Sequence, residues 1–150
     1  KALLAGLLHD CAKCIPGHPK IKMCEKYNLE ISEIERKNPS LLHAKLGAYL
    51  AKDKYDIEDE EILMAIRSHT TGRPGMSLLE KIVYIADYME PGRKELPNMM
   101  DVRYLAFEDI DKCLYRILRD SLVYLKAQDM PIDQTTEETY QYYNELYSKH

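Results

Sequence analysis

Apolar residues recur three or four positions apart along nearly the whole chain, which is the spacing of amphipathic α-helices. No segment alternates apolar and polar residues with the period of two that a half-buried strand shows. We find no internal repeat, low-complexity stretch or clear linker. The pattern therefore predicts an all-α fold, with residues 1–150 forming one helical bundle of about seven to nine helices.

Local signals place the ends of these helices. Two Ser-x-x-Glu sequences, at Ser32–Glu35 and Ser77–Glu80, are capping boxes, and Pro-Gly pairs at 16–17 and 91–92 interrupt the pattern. The acidic run 58–61 suits the first turn of a helix, where carboxylates meet the positive end of the helix dipole. The predicted helices cover about 2–13, 20–27, 32 onward, 38–50, 58 to before 72, 77–90 and 135 onward. Residues 102–127 also show apolar residues at helical spacing.

The first of these helices is apolar on all sides over residues 2–8, which is typical of a buried helix. It leads directly into the adjacent pair His9–Asp10. A buried imidazole and carboxylate are expensive unless they share a proton partner or hold a metal. The pair therefore directs attention to other His and Asp residues that would complete a site.

Three more polar residues, His43, His69 and Asp87, border inward-facing apolar stripes of their own helices. Each one alone is more typical of a hydrogen-bonded core histidine or of a helix-capping carboxylate. Together with His9 and Asp10 they would be costly to bury without a counter-charge. One divalent cation explains all five, so we predict a metal centre.

The chemistry of these ligands favours one kind of metal. Imidazole and carboxylate with no required cysteine favour iron, manganese or another first-row divalent ion over a closed structural zinc cage. Basic residues follow the candidate ligands: Lys13 after Asp10, Arg73 after His69, and Arg93 after Asp87. Each basic residue alone is most simply interpreted as a solvated cation at a helix end. A metal together with Lys and Arg is instead typical of a site that binds a phosphate ester or anhydride.

Composition and charge limit the kinds of molecule that the protein is expected to bind. The net charge is −4, which argues against a general nucleic-acid binder, although a small phosphorylated substrate needs only a few local cations. No apolar run approaches the roughly 20 residues that span a membrane. Cys11 and Cys14 form a C-x-x-C, but no second pair follows to make a zinc ribbon. We therefore expect reduced thiols in a cytoplasmic protein that contacts neither nucleic acid nor membrane.

Four segments carry a resemblance to a known family: 7–13 (LLHDCAK), 42–44 (LHA), 66–72 (IRSHTTG) and 81–93 (KIVYIADYMEPGR). They resemble the HD-domain metal-dependent phosphohydrolases, an all-α family defined by a His, a His-Asp pair and a later Asp. Within it, the chain is similar to the bacterial HD-domain symmetrical bis(5′-nucleosyl)-tetraphosphatases. The resemblance covers most of the chain, and its third and fourth segments are the most specific.

The resemblance implies a metal-dependent hydrolase that cleaves diadenosine tetraphosphate to two ADP at an iron centre of one or two ions. Carried over by position, His9, Asp10 and Asp87 would bind the first metal. His43 and His69 would hold a second metal or contact the substrate phosphates. The family's first His lies upstream of the His-Asp pair, and no His precedes His9 here. Either an N-terminal helix with this ligand is missing from the sequence, or the first metal site is incomplete; we expect the former.

The substrate would be held by a second set of residues. Lys13 and Arg93 would contact phosphates and stabilise charge in the transition state, Lys13 acting with Asp10 as the catalytic pair. Thr70 and Arg73 would lie close to the same phosphates, and Asp133, before the last helix, would reach the nucleoside.

Other functions stay open on the sequence alone. An enzyme of the same fold could act on a nucleoside monophosphate, a deoxynucleotide or a cyclic dinucleotide, because phosphate and metal groups would be shared. A non-catalytic nucleotide sensor or scaffold, or a helical interaction domain, would keep the same helices. The Tyr-rich C-terminal segment is compatible with packing on the core or with binding a partner. A homodimer is the assembly that we consider.

Overall fold

The structure is a computed structural model, and it describes residues 1–148. Over these residues it contains α-helices and one short 3₁₀ helix and no strand, which confirms the all-α prediction. The α-helices are α1 (Ala2–Leu8), α2 (Gly17–Lys26), α3 (Glu33–Lys37), α4 (Leu42–Tyr55), α5 (Glu60–Ser68), α6 (Leu78–Tyr88), α7 (Met99–Glu108), α8 (Ile110–Ala127) and α9 (Gln134–Ser148), and the 3₁₀ helix is Pro39–Leu41.

The chain divides into two compact units, the first covering Lys1–Thr70 and the second starting at Thr71. In the first unit, α4 packs against α5 and α2, and α1 packs against α5. The inward faces of α2 and α4 and the turn after α1 share one apolar core. Its buried members are Ala12, Cys24, Leu42, Leu46 and Leu50.

In the second unit, α8 packs against α6, α7 and α9. The Tyr-rich α9 contributes to this core through Tyr143, which is buried and whose hydroxyl oxygen accepts a hydrogen bond from the Met76 backbone N–H at 3.0 Å. Tyr142, its neighbour, faces outward. Among the described residues, no helix is both long and apolar enough to cross a membrane.

The predicted helix starts are confirmed where a local signal defined them. Ser32 and Ser77 each cap a helix through a reciprocal capping box with Glu35 and Glu80. The acidic run begins a helix through Asp59, whose side chain accepts from the two backbone N–H groups of residues 61 and 62. The region 102–127 divides at Asp109, which has an extended backbone and caps α8.

Two expectations about the first helix are wrong. It ends at Leu8 rather than near residue 13, because the following backbone N–H groups bond to carbonyls three residues back and tighten the chain into turns. It is also not buried all round: Leu3 and Leu7 are 89% and 77% exposed, whereas Ala5 and Leu8 are buried. In the first unit only one face of α1 packs against α5, so the other face stays open despite its apolar residues.

Gly72 is the position where a side chain would be least tolerated. Its φ of +68° lies in the left-handed region, and an added Cβ would lie 2.8 Å from Cγ2 of Thr139, which is fully buried. We expect Gly72→Ala to lower the free energy of unfolding by about 3 kcal/mol, combining backbone strain with overpacking. Urea titration measures this loss.

Gly75→Ala is the matched control for that variant. Gly75 has nearly the same φ, +67°, but the atom closest to its added Cβ is the Tyr142 hydroxyl oxygen at 3.8 Å, an ordinary contact. The free energy of unfolding of Gly75→Ala should therefore fall only by the cost of backbone strain, about 1 kcal/mol. Equal losses for the two variants would contradict a steric conflict at Gly72.

Candidate metal centre

Three histidines and one aspartate of the first unit come together from separate elements. His9 and Asp10 lie in the turn after α1, His43 lies in the first turn of α4, and His69 is the C-terminal cap of α5. His69 is buried, and the other three are partly buried. Four of the five predicted ligands therefore lie together within this unit, and their role as metal ligands stays a prediction.

Each histidine is oriented in the same way. Nδ1 of His9, His43 and His69 lies 2.6, 2.5 and 2.6 Å from the backbone carbonyl oxygen three residues earlier. A carbonyl only accepts hydrogen bonds, so each Nδ1 carries the proton and, in the neutral ring, each Nε2 presents a lone pair. Such a second hydrogen bond is the usual way in which a protein fixes a metal-binding imidazole.

All three Nε2 atoms are directed at the carboxylate of Asp10. Nε2 of His43 and of His69 lie 3.4 and 3.5 Å from Oδ1, and Nε2 of His9 lies 3.5 Å from Oδ2. Nε2 of His43 is also 3.0 Å from Nε2 of His69. Two lone pairs at this distance repel unless positive charge lies close to both, so the arrangement suits a cation.

One carboxylate oxygen of Asp10 gives the clearest indication that these side chains suit a cation. Its Oδ1 atom is buried and has no hydrogen-bond donor among the described residues. An unsatisfied buried acceptor costs on the order of 1–3 kcal/mol, and more when it is charged. Since Nε2 of His43 and Nε2 of His69 lie 3.4 and 3.5 Å from this oxygen, a cation bound between them would satisfy it.

The ionisation states fit a cation site. Burial acts to raise the pKa of Asp10, but the Lys13 hydrogen bond and the neighbouring charges of His9, Lys13 and His43 outweigh it and hold that pKa below its usual value. Burial lowers the pKa of His43, against the opposing effects of the Ser40 carbonyl and Asp10. At neutral pH, Asp10 is therefore a carboxylate and His43 a neutral imidazole, the forms that bind metals.

The donor set accordingly fits a divalent metal. One ligand atom each from His9, Asp10 and His69 lies within 4.8 Å of the other two. His43 adjoins this group through its Nε2 contacts to Asp10 and His69. Nitrogen and carboxylate oxygen donors without thiolate suit first-row divalent ions.

Two of the predicted phosphate-binding residues adjoin these four side chains. The ammonium of Lys13 donates to Oδ2 of Asp10 at 2.6 Å and is otherwise exposed. The hydroxyl of Thr70 lies 3.4 Å from Nε2 of His43. Both place hydrogen-bond donors at the edge of the candidate centre.

The second unit holds the remaining predicted ligand, Asp87, on α6. Within that unit the Arg93 guanidinium donates to both carboxylate oxygens of Asp87, at 3.3 Å each. Arg93 follows the turn that ends α6, as its sequence position predicts. The roles of Asp87 as a ligand and of Arg93 toward phosphate stay predictions.

Two other predicted substrate residues have structural partners. Arg73 forms a bidentate ion pair with the buried carboxylate of Glu80, from Nε at 2.6 Å and Nη2 at 2.7 Å. Asp133 accepts a hydrogen bond from the Thr135 backbone N–H at 2.8 Å, at the start of α9. Their substrate-binding roles stay predictions, and the pairing of Arg73 favours a structural role.

Sequence reasoning missed one group of functional atoms, the backbone carbonyls of Gly6, Ser40 and Ile66 that orient the three imidazoles. A signal was present, because each histidine follows its carbonyl by three residues at a helix end or in a first helical turn.

Comparison with known proteins assigns the class. The HD-domain family model matches residues 1–92, and the chain belongs to this family. The site geometry agrees, since the His-Asp pair that gives such domains their name lies at the centre of the imidazole cluster.

Relatives within the family are more specific. The chain is 39% identical to the symmetrical bis(5′-nucleosyl)-tetraphosphatase of Bacillus subtilis, over 93% of this chain and 74% of the relative. It is 36% identical to the protein of the same name from Staphylococcus aureus, over 96% and 74%. A crystal structure from Clostridium acetobutylicum, described as a predicted HD superfamily hydrolase involved in NAD metabolism, has 42% identity and a TM-score of 0.90, over 95% of this chain and 75% of that chain.

Proposed function

We propose that this protein is a metal-dependent hydrolase that cleaves diadenosine tetraphosphate symmetrically to two ADP. Two relatives that it matches over more than nine-tenths of its length are named for that activity. The observation in the molecule that supports it best is the buried Asp10 Oδ1, which lacks a donor and lies 3.4 and 3.5 Å from Nε2 of His43 and His69. Such a site suits a divalent cation and an anionic substrate.

The residues present would have different roles in hydrolysis. A divalent cation, when bound, supplies an activated water and neutralises charge on a phosphate oxygen. His9, Asp10 and His69 would hold it, while His43 would complete the site or contact phosphate. Lys13, next to Asp10, would donate to a phosphate oxygen and stabilise the charge that develops as the phosphorus–oxygen bond breaks. The leaving group, ADP, is already a stable anion, so a strong general acid is unnecessary.

Several finer assignments belong to the same proposal. Asp87 would be a further metal ligand, Arg93 and Thr70 would bind phosphate, and iron would be the metal, with manganese as the alternative. These rest on the family resemblance and on the donor chemistry. A homodimer and a cytoplasmic location remain predictions from the sequence, which light scattering and cell fractionation would test.

The proposal is tested by the products formed from diadenosine tetraphosphate. We expect the protein loaded anaerobically with Fe²⁺ to release ADP as the only nucleotide, two molecules per substrate, and chelation with EDTA to abolish the release. Chromatographic separation of ADP from AMP and ATP provides the measurement. Manganese and zinc loading compare the metals in the same assay.

Other outcomes would identify the competing functions. Release of AMP with ATP would contradict symmetrical cleavage. Faster turnover of a deoxynucleotide, a nucleoside monophosphate or a cyclic dinucleotide would favour a different phosphohydrolase of the same fold. Nucleotide binding without bound metal and without turnover would favour a sensor.

A further inference from the structure

Asn98 joins the two ends of residues 89–98, which connect α6 to α7 and which we call the α6–α7 segment. The hydroxyl of Tyr88, the last residue of α6, donates to Oδ1 of Asn98 at 3.2 Å. Nδ2 of Asn98 donates to Oδ2 of Asp120 on α8 at 2.8 Å. A carboxylate only accepts hydrogen bonds, so the amide nitrogen faces Asp120 and the amide oxygen faces Tyr88. We call these two hydrogen bonds the Asn98 link.

Asp120 is a fixed anchor for the Asn98 link. Its Oδ2 atom also accepts from Nε of Arg116 at 2.7 Å, and its Oδ1 atom accepts from Nε and Nη2 of Arg119 at 3.0 and 2.9 Å. Burial acts to raise the pKa of Asp120, but the hydrogen bonds that it accepts, foremost that from Arg116, outweigh burial and hold the pKa below its usual value. Asp120 is therefore a carboxylate at neutral pH, and several side chains fix its position.

The position of Asn98 in the chain favours another use of its side chain. Asn98 is the N-terminal cap of α7, where an Asn side chain commonly accepts a hydrogen bond from a backbone N–H of the first helical turn. Within α7, all of which the structure describes, no backbone N–H donates to the Asn98 side chain. The residue is only 9% exposed. Helix capping therefore does not account for this buried amide, whereas the Asn98 link does.

Arg93 lies in the middle of the α6–α7 segment. Its guanidinium reaches back to α6, where Nη2 lies 3.3 Å from each carboxylate oxygen of Asp87. These distances are longer than the usual 2.7–2.9 Å of a charge-assisted hydrogen bond, and the Arg93 side chain is 36% exposed. The ion pair alone is therefore a weak restraint, and the position of Arg93 depends on the path of the α6–α7 segment.

We propose that Asn98 is a positioning residue for substrate binding. The Asn98 link fixes the path of the α6–α7 segment, and that path sets the Arg93 guanidinium toward a phosphate of the substrate. This inference rests on the proposed function, which assigns Arg93 to phosphate. A guanidinium binds phosphate oxygens through a rigid planar fork, so it needs a set orientation as well as a set position. Without the link, the segment would have to be ordered when the substrate binds, which weakens binding.

The path of the segment is tested without any substrate. Trypsin cleaves after Arg93 and Lys94, two exposed residues of the α6–α7 segment, at a rate that follows the population of its open form. We expect Tyr88→Phe, which removes one hydrogen bond of the link, to speed this cleavage about fivefold. Asn98→Leu removes both hydrogen bonds and should speed it further. Mass spectrometry of limited digests identifies the sites that are cut.

Tyr115→Phe is the matched control. The Tyr115 hydroxyl donates to Oδ1 of Asn144 at 3.2 Å, the same donor, acceptor and distance as in the Tyr88 pair, but it joins α8 to α9. Tyr115→Phe should lower the melting temperature about as much as Tyr88→Phe and leave cleavage after Arg93 and Lys94 unchanged. Equal acceleration by the two variants would indicate general loosening and would overturn the inference.

The link to substrate binding is tested by a double-mutant cycle. We expect Asn98→Leu to raise the KM for diadenosine tetraphosphate about fivefold, with kcat changed by less than about twofold. In an Arg93→Met background, Asn98→Leu should raise KM no further, because the link acts through Arg93. A purely structural role of Asn98 would raise KM by the same factor in both backgrounds. Tyr88→Phe replaces Asn98→Leu in the cycle if the latter fails to fold.

The outcomes separate this inference from the proposed function. Unchanged cleavage in both Tyr88→Phe and Asn98→Leu would show that the Asn98 link does not fix the segment, and the inference would fail. If diadenosine tetraphosphate is not hydrolysed, the rise in melting temperature caused by inorganic tripolyphosphate replaces KM in the cycle. A smaller rise in Asn98→Leu only when Arg93 is present would then support the positioning role, while the proposed function fails.

Discussion

Asp10→Asn should lose both its metal and its activity. The substitution keeps the shape of the side chain but removes the negative charge on which three Nε2 atoms converge. We expect metal content per chain to fall to background and kcat/KM to fall by about a thousandfold or more, which corresponds to about 4 kcal/mol of transition-state stabilisation. Elemental analysis and steady-state kinetics measure the two effects.

The same variant makes a second prediction that does not depend on activity. In the metal-free protein, the new amide can donate to Nε2 of His43 or His69, where the carboxylate Oδ1 has no donor. The metal-free Asp10→Asn protein should therefore melt at or above the temperature of metal-free wild type. Asp53→Asn, at an exposed position on α4, is the matched control and should retain metal and turnover. Full metal content in Asp10→Asn would rule out Asp10 as a ligand.

Arg73→Met should be the most destabilising of the cation substitutions. Glu80 is 1% exposed, and both of its carboxylate oxygens accept from the guanidinium of Arg73. Removing one partner of a buried pair leaves the other charge poorly compensated. We expect the free energy of unfolding to fall by about 3 kcal/mol and the melting temperature by about 10 °C.

Arg103→Met is the control for that experiment. Its ion pair with Glu95, at 3.5 Å, joins two exposed side chains, and such pairs contribute about 0–1 kcal/mol.

The alternative role of Arg73, in substrate binding, is tested by the KM of Arg73→Met, measured at a temperature where the variant is folded. An unchanged melting temperature with a KM raised about tenfold would make Arg73 a phosphate-binding residue instead.

The fold was predictable where the information is local. A capping box such as Ser77–Glu80 lies within four residues, and its geometry follows from the sequence alone. The end of α1 was not predictable. In the turn after Leu8 other hydrogen bonds replace the helical ones, and no Gly or Pro at that point indicates the change. The exposure of Leu3 and Leu7 depends on which elements pack against α1, and that is tertiary information.

The candidate site shows the same division. The convergence of His43 and His69 on Asp10 could be predicted because each residue interrupts an apolar stripe. The Arg73–Glu80 pair bridges the turn before α6, and its geometry depends on a loop path that helical periodicity does not describe.

Anomalous diffraction from crystals of the iron-loaded protein tests the metal centre most directly. The result we predict is a peak at the iron absorption edge about 2.0–2.3 Å from a carboxylate oxygen of Asp10 and from Nε2 of His9 and His69. A peak at the cysteines Cys11 and Cys14, or no peak in a protein that still hydrolyses diadenosine tetraphosphate, would contradict a metal centre at Asp10.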